Sequence, residues 1–257
     1  MITVISPAKK LSKDCLGRTN RHELPKFLER SEELVSQLKG LEPIELMSLM
    51  NISENLAILN WERLQNWNSL FGPNNSMESA YCFLGDTYTG LDAESLSDDE
   101  MSFAHENTRI LSGLYGILRP LDLMMPYRLE MGTKLKNKNG NDLYEFWGDA
   151  LAKSINDDLK GHENKVILNC ASVEYFKSID RPALEADVIT PQFKDFKNGK
   201  LKIISFFAKK ARGMMARYVI TNQLTSQEDI LSFDLGGYRY DPKISSPSQP
   251  VFTRFQA

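Results

Sequence analysis

The chain has 257 residues, of which 42% are hydrophobic and 25% charged, long for one domain and short for two full ones. A chain of this size can bury roughly 70% or more of its unfolded surface, so it needs neither disulfides nor a structural metal to hold a core. Its formal net charge is −3, which gives no overall attraction to nucleic acid, so any anion site has to arise from local segregation of charge.

Ile2 to Ile5 is short, apolar and β-branched, and Ser6-Pro7 follows. This reads as a buried strand ending in a turn. The lysines of MITVISPAKK come after the apolar run rather than before it, which is not the pattern of a signal peptide. Glu23 to Lys39 reads as an amphipathic helix, with Pro25 in its first turn, Leu28, Leu34, Val35 and Leu38 on one face, and Gly40 as its stop. Pro43 opens a shorter helix through Met50, and Ser53 is placed to cap a further helix to Trp67. Tyr81 to Leu84 reads as a strand and Gly85 to Gly90 as a glycine-bounded loop. Ser97 caps an acidic helix over 98–107, and Arg109 to Leu111 is a strand. A helix is expected over 142–159, strands at 166–169, 187–193 and 201–206, a helix over 208–222 and a last strand at 251–255. The pattern gives one mixed α+β domain over 1–257, with the helical segment 23–70 projecting from it.

The three cysteines, Cys15, Cys82 and Cys170, match no CxxC spacing. Reduced thiols and a cytoplasmic location are therefore expected. No apolar stretch approaches the length of a membrane span. The Walker, Rossmann, HExxH and GxSxG patterns are all missing. The histidines His22, His105 and His162 are far apart in the chain, and His105 is expected at the surface of the acidic helix. No metal and no cofactor are expected.

The informative signal is the distribution of charge. Leu64 to Thr108 contains eight acids and no Lys or Arg. Phe196 to Gln227 contains seven bases, Lys197, Lys200, Lys202, Lys209, Lys210, Arg212 and Arg217, and no acid. Lys209, Lys210 and Arg212 open a predicted helix, where cations oppose the macrodipole unless an anion lies nearby. Ser6 to Lys10 leaves a predicted buried strand, where α/β sheets commonly receive ligands. Residues 43–67 read as a helical hairpin turning at Asn51-Ile52-Ser53. A helix-hairpin-helix element of this kind turns backbone N–H groups toward phosphates; Asn51 and Ser53 stand where glycines are usual, and Asn tolerates the left-handed conformation.

Several blocks go beyond generic pattern: SPAK at 6–9, GDTYTG at 85–90, RILSGLYGILRPLD at 109–122, PYRLEMG at 126–132, DLYEFWG at 142–148 and ISFFAKKARG at 204–213. In this order the sequence closely resembles the YaaA family of peroxide-stress proteins, from Ile2 to Phe255. The resemblance implies a DNA-binding protein of the hydrogen peroxide response that limits intracellular iron, with a positively charged cleft and a helix-hairpin-helix. Carried over to this chain, the cleft would hold Lys9, Arg109, Arg119, Arg128, Lys209, Lys210 and Arg212, and the hairpin would be Asn51, Ile52 and Ser53. Lys10 stands where the family usually has Thr, and adds a cation. With Arg217, these residues form the expected nucleic-acid site. Its partner would be duplex or branched DNA, read with weak sequence preference, and the protein is expected to act as a monomer. The alternative is an enzyme acting on a nucleotide-like or phosphorylated small molecule in the same cleft, with Asp86, Tyr88, Arg109, Tyr127, Arg128 and Glu130 around the ligand.

Overall fold

The computed structural model describes residues 1–12 and 17–255. Cys15 lies outside them. The chain opens with β1 (Ile2–Ile5), buried along its length, and β2 (Lys10–Leu11). Helix α1 (Leu28–Lys39) buries Leu34, Val35 and Leu38. It starts later than the periodicity predicts, because Glu23 pairs in a β-bridge with Asp122 instead. Helix α2 (Pro43–Met50) has Glu42 and Glu45 in a reciprocal capping box and ends at Asn51, whose φ of 50° is left-handed. Ser53 occupies the N-cap of α3 (Glu54–Asn66), although its side chain makes no capping hydrogen bond.

Of the segment read as a strand at 81–84, only the second half is strand; Tyr81 and Cys82 end a helix. β3 (Met77–Glu78) leads into α4 (Ser79–Cys82), and β4 (Phe83–Leu84) is two residues long. The segment read as a loop at 85–90 is also a helix, α5 (Asp86–Leu91). Helix α6 (Asp98–Asn107) has the predicted Ser97 cap, completed by Glu100. Then come β5 (Thr108–Ser112), β6 (Gly116–Leu118) and β7 (Leu123–Met124). The predicted helix 142–159 is two helices, α7 (Leu143–Trp147) and α8 (Ala150–Leu159), parted at Gly148, whose φ is 52°. β8 (Val166–Cys170), α9 (Val173–Phe176), β9 (Asp187–Ile189), β10 (Gln192–Lys197) and β11 (Lys200–Lys202) follow. The run predicted as a strand to 206 turns helical at Ser205. Residues 205–207 form the first turn of α10 (Ser205–Thr221), which buries Ala208, Ala211, Met215, Ala216, Val219 and Ile220 at helical spacing. β12 (Arg239–Tyr240) and β13 (Val251–Phe255) close the described chain.

Helices and sheets mix, as an α+β chain requires. One sheet has the order β6-β5-β1-β8-β9, with β5, β1, β8 and β9 parallel. The other has the order β11-β10-β13-β12. Helix α10 packs on β1, β8 and β10, so it bridges both sheets. It crosses α5 at very short range. A Cβ on Gly90 would lie 2.1 Å from the Lys210 carbonyl oxygen, and one on Gly213 would lie 1.8 Å from that of Thr87. Glycine at both positions lets the two backbones touch, which explains why GDTYTG is helical rather than looped.

Candidate anion-binding cleft

The chain leaves β1 into Ser6–Lys10 and leaves β8 into Ala171–Tyr175. β1 is flanked by β5 on one side and β8 on the other, so the connections diverge at its carboxyl end. A divergence of this kind opens a crevice where ligands meet parallel sheets. Here it is a cavity of about 480 Å³.

The floor is rigid. The Ser172 amide donates to Ser6 Oγ at 2.8 Å, and the Tyr88 hydroxyl donates to the Ser6 carbonyl at 3.1 Å. These bonds tie the two strand-end loops to each other and to α5. Cys170 lies at the base, and burial pushes its thiol up to about 12, against a smaller opposing effect of Arg212. It is therefore a thiol rather than a thiolate at neutral pH, and a poor nucleophile toward peroxide. Tyr127 and Tyr175 line the wall, and burial raises both phenols, so neither is a base at neutral pH. Tyr127 shares a 2.6 Å hydrogen bond with Ser112.

Charge enters from two sides. On one, Lys9 Nζ lies 2.7 Å from Glu130 Oε2 and Arg128 Nη2 lies 3.1 Å from Glu130 Oε1. Two cations thus share one carboxylate. Arg128 Nε is buried with no hydrogen-bond partner among the described residues. Glu174 accepts a bond from the Gly132 amide at 2.9 Å. On the other side α10 delivers Lys209 and Arg212, and Lys10 stands at the rim. Among the described residues, no carboxylate is in ion-pair range of Lys10, Lys209 or Arg212. The cavity wall thus carries five cations against three carboxylates, Asp86, Glu130 and Glu174.

The structure thus brings Lys9, Lys10, Arg128, Lys209 and Arg212 together and leaves the other expected residues elsewhere. Lys210 is exposed on α10, just outside the cavity wall. Arg217 donates to the Leu91 and Asp92 carbonyls, fastening α10 to the end of α5. Asn51, Ile52 and Ser53 form the tip of the α2–α3 hairpin and do not line the cavity. Arg109 is buried at 5% exposure; its Nε donates to Asp158 at 2.8 Å and its Nη1 to the His105 and Thr108 carbonyls. Arg119 pairs with Glu23 and Asp122. Both belong to a second basin, about 600 Å³, that also includes Lys26, Asp158 and His162. Of the residues considered for a small-molecule enzyme, Asp86, Tyr127, Arg128 and Glu130 line the cleft; Tyr88 is held by Ser6. Glu174 and Tyr175 were not singled out by sequence. Their position just past β8, which pairs with the central strand β1, was the available signal.

His105 is buried, not exposed as its charged neighbours suggest. With Glu23 and Asp122 it brings potential metal-ligand atoms within 4.8 Å of one another. The hydrogen bonds argue against an ion there. His105 Nδ1 accepts from the Leu121 amide at 3.2 Å, which assigns the ring proton to Nε2, facing Glu23 at 3.2 Å. Burial and the charge of Arg119 lower its pKa, so the ring is neutral. Both ring nitrogens are engaged, and Arg119 already supplies the cation. Asp122 is pushed up to about 6 by burial, against the pull of Arg119.

A family model described as peroxide stress protein YaaA matches residues 1–244. The chain belongs to the YaaA family. Its relatives agree along nearly the whole length. A UPF0246 protein of Colwellia psychrerythraea is 51% identical over 254 residues, covering 99% of each chain. A UPF0246 protein of Shewanella woodyi is 47% identical over 254 residues with the same coverage, and one of Hahella chejuensis is 50% identical over 254 residues. Membership of the YaaA family links the chain to peroxide stress. Among the described residues no helix is long and apolar enough to cross a membrane.

Proposed function

We propose that this protein binds DNA through the cleft at the carboxyl ends of β1 and β8, contacting phosphates with weak sequence preference, as a cytoplasmic monomer active under peroxide stress. One observation carries the proposal. Lys209, Lys210 and Arg212 project from the second and third turns of α10, beside Lys10, with no carboxylate in ion-pair range among the described residues. Such cations release condensed counterions when they meet phosphates, which supplies affinity independent of sequence. The α2–α3 hairpin, turning at Asn51, Ile52 and Ser53, is a second backbone-mediated contact in this reading.

The test is a titration of duplex and four-way-junction DNA at several salt concentrations. Log K should fall steeply with log salt, by about 0.9 per phosphate neutralised. The variant Lys209→Ala/Lys210→Ala/Arg212→Ala should lose affinity on all sequences alike, with a shallower slope. Unchanged binding by that variant sinks the cleft assignment.

A second reading is favoured by the buried Nε of Arg128, which has no hydrogen-bond partner among the described residues. The cavity lies within the roughly 300–1,000 Å³ typical of small-molecule sites. An enzyme acting on a phosphorylated or nucleotide-like compound would use Arg128 to hold it. A thermal-shift screen of nucleotides separates the two readings: a specific hit without salt-sensitive DNA binding selects the enzyme.

A further inference from the structure

Beside the cleft, α10 presents an aromatic ring that folding does not account for. Phe206 is 52% exposed and Ile203 just before it is 55% exposed. Leaving so much apolar surface in water has a cost that packing does not recover. The Phe206 ring is held in place from below: it rests against Phe207 with centroids 4.0 Å apart, and Phe207 is covered in turn by the Arg254 guanidinium at 4.5 Å. The ring is therefore stiff on one side and open on the other.

Its surroundings are cationic. Helical spacing places Phe206, Lys209 and Lys210 on one face of α10, at i, i+3 and i+4. Lys202, at the end of β11, is also exposed. There is no acid in the first turn of α10. The nearby Asp195 is buried and held by Arg254 Nε at 2.7 Å and by the Tyr238 hydroxyl at 2.9 Å. An exposed ring among lysines that have no carboxylate in ion-pair range among the described residues, one turn from Lys209 in the cleft wall, matches what an unpaired nucleic-acid strand requires: cations for its phosphates and a flat apolar face for a base. A paired base keeps both of its faces inside the duplex stack and has none to offer.

We propose that Phe206 is a stacking platform for an unpaired base of a DNA strand whose neighbouring phosphates lie in the cleft. The site thereby prefers DNA with unpaired stretches over a closed duplex. The proposal rests on the cleft reading above and adds to it the form of DNA and the residue that selects it.

The experiment compares wild-type protein, Phe206→Ala, Phe206→Trp and Lys209→Ala/Lys210→Ala/Arg212→Ala by fluorescence anisotropy on oligo(dT) and on a duplex of equal length. Phe206→Ala should weaken oligo(dT) about tenfold and leave the duplex and the salt slope unchanged. Phe206→Trp should restore oligo(dT) binding. The triple variant should weaken both. Phe196→Ala/Phe255→Ala is the control. Those rings touch at 5.1 Å and are exposed, but strand alternation puts them on the sheet face opposite Arg254, away from α10. That variant should bind as wild type. If Phe206→Ala binds oligo(dT) as wild type while the triple variant fails, stacking is wrong and the cleft stands. If the triple variant binds normally, the cleft reading and the stacking built on it both fall. Equal loss on the duplex also overturns the proposal. Matching melting temperatures ensure that each loss belongs to binding rather than folding.

Discussion

Two basins lie near opposite ends of β1, and both are rich in cations. In the amino-end basin Arg109 grips Asp158 and two carbonyls, Arg119 is clasped by Glu23 and Asp122, and Lys26 is 3.9 Å from Asp158. In the carboxyl-end cleft Lys9 and Arg128 share Glu130, and Lys10, Lys209 and Arg212 face no carboxylate in ion-pair range among the described residues. The first holds three basic groups, Lys26, Arg109 and Arg119, and the second five. The difference is whether the fold supplies their counterions. The first basin is a clamp within the protein, and the second leaves charge for something else to neutralise.

That contrast can be broken most sharply at Arg109. Arg109→Ala leaves Asp158 without its guanidinium in a half-closed basin, and removing one partner of such a pair costs about 3–5 kcal/mol. Urea unfolding should show that loss, while the folded fraction binds DNA as before. A specific loss of DNA affinity without destabilisation would show that this basin, too, is a ligand site. Next comes Asp122, whose folded-state pKa is raised to about 6. The folded protein holds that proton over roughly pH 4–6 where the unfolded chain has released it, so this group adds stability as pH falls through 6 and levels off below 4. Relative to Asp122→Asn, the wild type should gain up to about 3 kcal/mol between pH 7.5 and 4. A flat difference would mean that Asp122 is not held in this way. Gly213→Ala forces a Cβ against the Thr87 carbonyl and should cost about 1–3 kcal/mol by overpacking the α5–α10 crossing. It should also weaken DNA binding, because the same helix positions Arg212. The smallest stability effects belong to exposed charges. Lys26→Ala should change stability by less than about 1 kcal/mol. The triple variant on α10 should stay within about 0.5 kcal/mol of wild type, with its effect appearing in affinity instead.

Much of the architecture was legible because local chemistry and tertiary context agree. Pro43, Ser53 and Ser97 mark helix starts that the fold keeps, and the β-branched run at 2–5 is a strand. Where they disagree, tertiary contacts prevail. Gly85 and Gly90 look like loop punctuation, yet Gly90 is there so that α10 can approach. Ile203 to Phe207 is apolar enough for a strand, but the sheet ends at Lys202 and the chain turns helical. The site was partly legible for a related reason. Lys209 and Arg212 stand out in sequence as part of a block of bases without acids, and both line the cavity. Arg109, Arg119 and Arg217 look equally free in sequence, because Asp158, Glu23 and the carbonyls at the end of α5 that hold them are distant in the chain. Glu174 and Tyr175 carry no motif of their own and are visible only once β8 is known to lie beside β1.

The placement of β1 has a consequence for biosynthesis. The Ile2–Ile5 strand is made before both of its neighbours, Thr108–Ser112 and Val166–Cys170. A greasy segment with no local mate must therefore wait for roughly a hundred further residues before either flank can be covered. Long-range pairing of this kind slows folding and leaves strand edges open to misassociation. During synthesis this strand therefore stays uncovered far longer than one whose partner lies next to it in the chain.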